Sequence, residues 1–209
     1  MTPESPIVFV VDDDRRVREA LSRLISSAGM AVVTFGSAAE FLEYEKPDAS
    51  ACLVLDLRIP GMDGLELQQQ LAERDAPPIV FITGHGDIPS TVRAMKAGAV
   101  EFLSKPFDDE ELLRAIDVAI EQDRETRRNR SELSELRKCY ALLTSREREV
   151  LPYVVAGFAN KEAAADLGIA ENTVAVHRGQ IMRKMGSRSL AELVRMADKL
   201  GISSIRPKG

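Results

Sequence analysis

Carboxylate, hydroxyl and ammonium side chains follow four short apolar runs of this chain. Asp12 and Asp13 follow the first run, Asp56 and Thr83 follow two later runs, and Lys105 follows the last. Carboxylate oxygens are hard ligands that suit Mg²⁺, and a carboxylate can act as a covalent acceptor of a phosphoryl group. If the four runs end at one place, the sequence predicts a metal-assisted site that accepts a phosphoryl group.

The apolar runs have the composition of buried parallel strands, and residues at helical spacing fill the intervals between them. We predict five strands, each followed by a helix, near residues 7–11, 32–35, 53–56, 79–82 and 100–103. This alternation favours an α/β fold with a doubly wound, five-stranded parallel sheet. Ligands bind at the carboxyl ends of such strands, so the fold would gather the polar residues in one crevice.

Each polar residue of the crevice has an expected role. Asp13 and Asp56 would ligate Mg²⁺ directly. Asp12 would act through a water molecule, and the backbone carbonyl of Arg58 would complete the shell. The carboxylate of Asp56 would attack phosphorus and form an acyl phosphate. Lys105 would pair with the added phosphoryl oxygens as a point charge.

Three further residues near the crevice have predicted parts in switching or positioning. Thr83 would donate its hydroxyl to a phosphoryl oxygen, and Phe102 would swing inward as Thr83 moves. A cis peptide bond before Pro106 would aim Lys105 at the site. Taken singly, these residues are common turn chemistry, but their ordered occurrence at strand ends is much more specific.

Charge is unevenly distributed along the 209 residues. Residues 1–120 carry 11 Lys and Arg against 21 Asp and Glu, whereas residues 139–209 carry 11 against 7. An acidic first part and a basic end suggest that only the end contacts a polyanion, although ordinary solvated surface gives a similar balance. The length suits two domains, which we place at 6–122 and 140–204. A helical linker, 123–139, would self-associate or serve as a solvated connector.

Four short helices are predicted in the basic end. A capping box of Thr144 and Glu147 begins the first helix, and Asn160 is expected to cap the second. Because no residue with a capping side chain precedes the third helix, we expect Glu171 or Asn172 to take that role. The second and third helices, joined by a glycine-containing turn, form a helix-turn-helix.

The third helix has the side chains of a DNA recognition helix. Such a helix needs small or hydrogen-bonding groups toward the groove and cations at its flanks. The preceding helix begins at a lysine, which can meet a phosphate there. We therefore predict DNA contacts from Asn160, Lys161, Thr173, Ala175, Val176, His177, Arg178, Gly179 and Lys184. A small interaction bundle with solvated charges is the alternative.

The cysteines and the hydropathy of the chain indicate its cellular compartment. Cys52 and Cys139 lack metal-ligand spacing, which indicates reduced thiols. The first residues do not form a signal peptide, and no apolar run approaches the roughly 20 residues that span a bilayer. We therefore expect a cytoplasmic protein with no membrane contact.

Four segments resemble the receiver domains of two-component response regulators. They read VVDD at 10–13, LDLRIPGMDG at 55–64, ITG at 82–84 and FLSKPF at 102–107. The resemblance covers about residues 6–122 and implies phosphorylation of Asp56 by a sensor histidine kinase with Mg²⁺. It also implies that Thr83 and Phe102 are coupled to a dimerisation surface on the fourth helix, fifth strand and fifth helix.

A second group of segments resembles LuxR-type helix-turn-helix domains over about residues 140–204. They read LTSREREVL at 143–151, NKEAA at 160–164 and TVAVHR at 173–178. The combination implies a transcription factor of the FixJ/NarL type that dimerises when phosphorylated, binds double-stranded promoter DNA and activates transcription with RNA polymerase. Many relatives have Lys or another polar residue where Ala175 stands, so we expect modest affinity for single half-sites.

Two other functions stay open. A phosphatase that uses Asp56 as its nucleophile would need an acidic residue where Arg58 stands, so we expect that the protein is not an enzyme. A receiver-linked adaptor would bind a protein through its tail. DNA binding would weaken as the salt concentration rises, because neutralised phosphates release counterions, and this separates it from protein binding by an adaptor.

Overall fold

The computed structural model describes residues 5–72, 76–84 and 88–202. The chain divides into two compact units, Met1–Arg127 and Arg128–Gly209. Residues 203 and 204, at the end of the second predicted domain, lie outside the described residues.

The first unit is a parallel sheet with a helix between each pair of consecutive strands. The strands are β1 (Ile7–Val11), β2 (Ala31–Phe35), β3 (Ala51–Asp56), β4 (Ile79–Thr83) and β5 (Glu101–Ser104). The helices are α1 (Arg15–Ser27), α2 (Ala38–Glu43), α3 (Gly64–Ala72), α4 (Ile88–Lys96) and α5 (Asp109–Ala141). The strand order β2-β1-β3-β4-β5 confirms the predicted doubly wound fold.

The apolar runs form strands because both faces of the sheet are covered. All six residues of β3 are buried. Its alternate side chains enter two different clusters, with Leu53 and Leu55 packed in one and Cys52 and Val54 in the other. A continuous apolar strand can bury its side chains only when helices pack on both faces of the sheet.

The order of the strands explains where the polar residues gather. Strands β2 and β3 lie on opposite sides of β1, so the direction of winding reverses between β1 and β3. Val11 is in register with Leu55, and the next residues along the two strands are Asp12 and Asp56. A crevice at the carboxyl ends of strands, at the point of reversal, is the usual ligand site of such sheets.

Helix α5 continues through the predicted linker without a break. Its first part buries Leu112, Ile116 and Ile120 against the sheet. The buried Asp123 carboxylate accepts hydrogen bonds from the Ala51 backbone N–H at 2.9 Å and from Arg127 Nε at 2.7 Å. The bond from Ala51 holds the helix on the sheet one turn beyond its last buried apolar residue, and the bond from Arg127 lies within the helix.

The described part of the second unit contains the end of α5 and four further helices. They are α6 (Ser145–Val155), α7 (Asn160–Leu167), α8 (Glu171–Met185) and α9 (Leu190–Lys199). Leu151, Val174, Ile181 and Leu193 lie in their common core. The structure confirms a small all-α domain with a helix-turn-helix formed by α7 and α8.

One predicted helix cap is confirmed and two are wrong. The Thr144 N–H donates to Glu147 Oε2 at 2.7 Å, and the Glu147 N–H donates to Thr144 Oγ1 at 3.3 Å, which completes the capping box. Helix α7 instead has Ala159 at its N-cap, with Asn160 as its first helical residue. Helix α8 has Ala170 at its N-cap without a side-chain hydrogen bond, so neither Glu171 nor Asn172 caps it.

The turn between α7 and α8 accounts for the second error. Gly168 ends α7 in the left-handed region at φ 65° and turns the chain sharply. The buried Val174 then fixes the rotation of α8. The Ala170 carbonyl accepts the first helical hydrogen bonds, from Thr173 and Val174. Packing sets this start even though no side chain caps the helix.

Among the described residues, no helix combines the length and the apolar composition that a bilayer-spanning segment requires.

Candidate functional site

Three carboxylates meet at the carboxyl ends of β1 and β3. Oxygen atoms of Asp12, Asp13 and Asp56 all lie within 4.8 Å of one another. Asp12 is fully buried, Asp56 is 8% exposed, and Asp13 is open to solvent. The structure therefore brings together the three carboxylates of the predicted metal site, with one of them on the solvent side.

The ammonium of Lys105 joins two of these carboxylates. Its Nζ atom lies 2.7 Å from Asp12 Oδ2 and 2.7 Å from Asp56 Oδ2. Its backbone N–H donates to the Thr83 carbonyl at 2.7 Å, and this bond holds Lys105 beside the end of β4. The Lys105–Pro106 peptide bond is cis, as predicted.

Burial and charge act in opposite directions on these groups. Burial raises the pKa of Asp12 above its ordinary value, although its hydrogen bond to Lys105 works the other way. Burial disfavours the charged form of Lys105, but hydrogen bonds to Asp12 and Asp56 outweigh it and raise the lysine pKa. The lysine is therefore held as a cation between the two carboxylates.

The donor set and the charge of the cluster fit Mg²⁺. Three carboxylates beside one ammonium leave an excess of two negative charges, which a dication would balance. Backbone N–H groups of Asp14 and Arg58 donate to Asp12 Oδ1 at 2.8 Å and to Asp56 Oδ1 at 3.1 Å. These bonds orient the carboxylates toward a site with oxygen ligands, the kind that Mg²⁺ prefers. A metal-bound carbonyl at Arg58 stays a prediction.

The two predicted switch residues lie on neighbouring strands. Thr83 is buried at the end of β4, one residue after the partner of Asp56 in the β3–β4 register. Phe102 in β5 is partly exposed, and its ring centroid is 6.0 Å from that of Phe81. Their positions agree with the expected roles, which stay predictions.

Gly64 is a further residue of the site. It lies in a segment that resembles receiver domains, but no role was predicted for it. It begins α3, and a Cβ atom there would lie 2.7 Å from the Asp56 carbonyl oxygen and 3.1 Å from the Phe81 ring. Only glycine lets α3 start this close to the strand that carries Asp56. The available signal was the glycine at the end of the LDLRIPGMDG segment.

Helix α8 shows a small, uncharged face to solvent. Thr173, Ala175, Val176 and Gly179 are exposed, with Val176 at 56%. On the inner side of the helix, Val174, Ile181 and Met185 are buried, and Met182 packs against them. His177 is partly exposed. The exposed stripe has the shape and chemistry of a surface that enters a major groove.

The helix before it offers a cation and an amide. Lys161 is exposed and Asn160 is partly exposed, and both lie in the first turn of α7. Backbone N–H groups point outward at a helix N-terminus, so this turn suits a phosphate.

The two remaining predicted DNA-binding cations have partners within the unit. Arg178 Nη1 donates to the Phe158 carbonyl at 3.0 Å, and Lys184 Nζ lies 2.6 Å from Glu147 Oε2. Both contacts fasten α8 to the region of α6. Sequence reasoning missed them because the partners lie 20 and 37 residues away.

Two family models match separate parts of the chain. Residues 8–117 match the family model of the response regulator receiver domain. Residues 141–197 match the family model of bacterial regulatory proteins of the luxR family.

Relatives extend over nearly the whole chain. Nodulation protein W of Bradyrhizobium diazoefficiens is 52% identical over 199 residues, covering 95% of this chain and 88% of that protein. Transcriptional regulatory protein FixJ of Azorhizobium caulinodans is 46% identical over 202 residues, covering 96% of each. The solved structure of response regulator StyR has a TM-score of 0.82 and 52% identity, covering 93% of this chain and 99% of StyR.

These matches exclude the phosphatase alternative, because the family consists of transcriptional regulators and not of enzymes. A receiver domain implies a sensor kinase as partner, and a LuxR-type domain implies DNA binding. The chain belongs to the two-component response regulators of the FixJ/NarL type, with a receiver domain followed by a LuxR-type helix-turn-helix domain.

Proposed function

We propose that Asp56 accepts a phosphoryl group from a sensor histidine kinase, and that the phosphorylated protein dimerises on promoter DNA and activates transcription. One observation carries the proposal. Oxygens of Asp12, Asp13 and Asp56 lie within 4.8 Å of one another, and Lys105 bridges two of these residues. Such a site can hold a dication and also pair with new phosphoryl oxygens.

The transfer is a displacement at phosphorus. An oxygen of Asp56 forms the new bond to phosphorus, while the bond from phosphorus to the kinase histidine nitrogen breaks. That nitrogen keeps the electron pair and takes up a proton. Asp13 and Asp56 would hold Mg²⁺ directly, Asp12 through water, with the Arg58 carbonyl completing the shell. The ion would supply charge neutralisation for the phosphoryl oxygens.

The chain's own residues then respond to the new charge. Lys105 pairs with a phosphoryl oxygen, and Thr83 donates its hydroxyl to another. Movement of Thr83 leaves room beside β5, into which Phe102 turns. Because β5 lies at the edge of the sheet next to α4 and α5, this rearrangement changes the surface formed by these elements.

The same surface suits a dimer contact. Helix α4 exposes Ile88, Val92 and Met95, which lie on one face at a spacing of four and three residues. Val118 of α5 is also 54% exposed. Apolar side chains concentrated on a helix surface favour association with a second copy of the chain.

DNA binding is assigned to α7 and α8. We place Thr173, Ala175, Val176, His177 and Gly179 at base edges, since they lie on or beside the exposed stripe of α8. Lys161 and Asn160 meet the phosphate backbone. Arg178 and Lys184 serve DNA binding by holding α8 in place. RNA polymerase is the further partner of a bound activator, and such binding places the protein with the chromosome in the cytoplasm.

Substitution of the acceptor tests the proposal. We expect Asp56→Asn to abolish the gain of one phosphoryl group on incubation with acetyl phosphate and Mg²⁺, read as intact mass. Asp63→Asn is the matched control, because Asp63 lies in the same loop and its carboxylate accepts a hydrogen bond from the Leu65 N–H at 3.0 Å. Equal labelling of Asp56→Asn and wild type would refute the acceptor assignment.

A further inference from the structure

We propose that Arg18 is a positioning residue of the metal site, which acts by clamping the backbone of the acidic turn after β1. The inference rests on the proposed function, since it concerns Mg²⁺ at the same crevice. Arg18 would fix the direction in which Asp12 and Asp13 present their carboxylates, without occupying a carboxylate oxygen.

The clamp consists of two hydrogen bonds from one nitrogen. Arg18 Nη1 donates to the Asp12 carbonyl at 2.7 Å and to the Asp13 carbonyl at 2.9 Å. The guanidinium therefore contacts two successive peptide units of the turn. A cation beside a carbonyl oxygen forms a charge-assisted hydrogen bond, which is shorter and stronger than a neutral one.

The clamp also connects this turn to the neighbouring strand. The guanidinium lies over Gly36, where an added Cβ atom would be 3.7 Å from both Nη1 and Nη2. The Asp12 N–H donates to the Phe35 carbonyl at the end of β2, at 3.3 Å. Arg18 thus packs in the space between the turn after β1 and the turn after β2.

Asp13 is the ligand with the most need for such support. Asp12 is held by Lys105 on one oxygen and by the Asp14 N–H on the other. Within the part of the chain that the structure describes, no hydrogen bond reaches the carboxylate of Asp13. Its direction is set by its backbone, and Arg18 holds that backbone through the carbonyl.

The position of Arg18 also leaves the carboxylates accessible. Its contacts with Asp12 and Asp13 are made to the backbone carbonyls and not to the carboxylate oxygens. An arginine that paired directly with these carboxylates would compete with Mg²⁺ for them. Contact with carbonyls leaves the carboxylate oxygens available as ligands.

Other arginines of α1 do not share this role, and one provides a control. Arg15 pairs with Glu19 at 2.7 Å, and Arg23 Nε donates to the Glu19 carbonyl at 3.2 Å. Arg23→Met removes the same charge from the same helix as Arg18→Met. It leaves the bonds to the acidic turn intact.

Calorimetric titration of the full chain with MgCl₂ tests the inference directly. Loss of a residue that orients a metal ligand typically weakens metal binding 10- to 100-fold, so we expect Kd for Mg²⁺ to rise about tenfold in Arg18→Met. We expect a change of less than about twofold in Arg23→Met. Arg18→Lys should bind Mg²⁺ more weakly than wild type by at least about threefold, because the lysine nitrogen lies one atom short of the position of Nη1, which makes both bonds to the turn.

Further measurements separate positioning from folding and from phosphorylation. Saturating Mg²⁺ should restore most of the acetyl phosphate reactivity of Arg18→Met, which a general loss of structure would not allow. If Arg18→Met unfolds, the Mg²⁺ affinity of Arg18→Lys is compared with that of wild type instead. Wild-type Mg²⁺ affinity in whichever of the two variants is folded would overturn the inference. Failure of wild type to accept phosphate while the Mg²⁺ contrast holds would instead refute the proposed function alone.

Discussion

At the scale of single residues, the site depends on how close its elements can approach. Gly64 begins α3 against the strand that ends at Asp56, and the groups that its Cβ would meet include the Asp56 carbonyl and the Leu57 Cα atom, at 2.7 and 3.0 Å. Backbone atoms cannot turn away as a flexible side chain can. The helix and the strand would have to separate to admit one methyl group.

We therefore predict that Gly64→Ala destabilises the receiver domain by about 1–3 kcal/mol, the usual cost of overpacking. Chemical denaturation of the full chain measures the change. Gly84→Ala is the control in the same domain, because its Cβ would meet nothing within 4 Å, and we expect a change within about 0.5 kcal/mol. If the two variants had equal free energies of unfolding, α3 would shift to admit the methyl group without loss of stability, which would contradict the prediction.

At the scale of elements, α6 is joined to α8 by an ion pair between Glu147 and Lys184. Glu147 also belongs to the capping box of α6. Glu147 is 4% exposed, accepts the Thr144 N–H and pairs with Lys184. Burial opposes its charge, but the hydrogen bonds from Lys184 and Thr144 outweigh it, so the Glu147 pKa lies below the ordinary value of 4.5. The ionised carboxylate thus contributes to folding stability.

This pKa shift predicts how stability depends on pH. A carboxylate whose pKa is lower in the folded state stabilises above its unfolded pKa and loses that contribution as pH falls through the folded pKa. We expect the stability difference between wild type and Glu147→Gln to be constant above about pH 5.5 and to shrink below pH 4.5. Calorimetric unfolding across this range measures it. Glu149→Gln, which loses only an exposed pair with Arg146, should show no comparable trend.

Local patterns predicted most of the elements but few of the contacts between them. The strand ends follow from apolar runs that stop at polar residues, and Thr144 caps its helix as expected. Asn160 and the start of α8 were predicted wrongly because packing and Gly168 decide where those helices begin.

Contacts at long separation left no trace in the local sequence. Lys184 pairs with a glutamate 37 residues away, and Lys105 reaches Asp12 over 93 residues. The shared location of Lys105 and Asp12 was expected, because parallel strands end at one edge of the sheet, although the ion pair itself was not. The location of Lys184 beside Glu147 was not expected, because the packing of helices in a small bundle gives no comparable rule.

At the scale of the whole molecule, charge separates the two activities. The acidic first part carries the proposed site for a metal and a phosphoryl group, and the basic end carries the LuxR-type DNA-binding domain. An adaptor with a protein-binding tail would have the same domain order. The salt dependence of binding distinguishes the two, because neutralised DNA phosphates release counterions.

We predict that affinity for promoter DNA falls steeply with salt, and that Lys161→Ala reduces the slope of log K against log salt by about 1 for each protomer bound. Fluorescence anisotropy with a labelled fragment measures both. Arg195→Ala is the control, since it removes the same charge from an exposed position on α9. An unchanged slope in Lys161→Ala would remove this residue from the interface.

The central claim is that phosphorylation of Asp56 controls DNA binding by the second domain. Genome-wide footprinting of wild type and Asp56→Asn, each with acetyl phosphate and Mg²⁺, tests it most directly. We predict protected promoter sites in wild type that appear only with the phosphodonor and are absent in Asp56→Asn. Identical footprints from the two proteins would contradict the account.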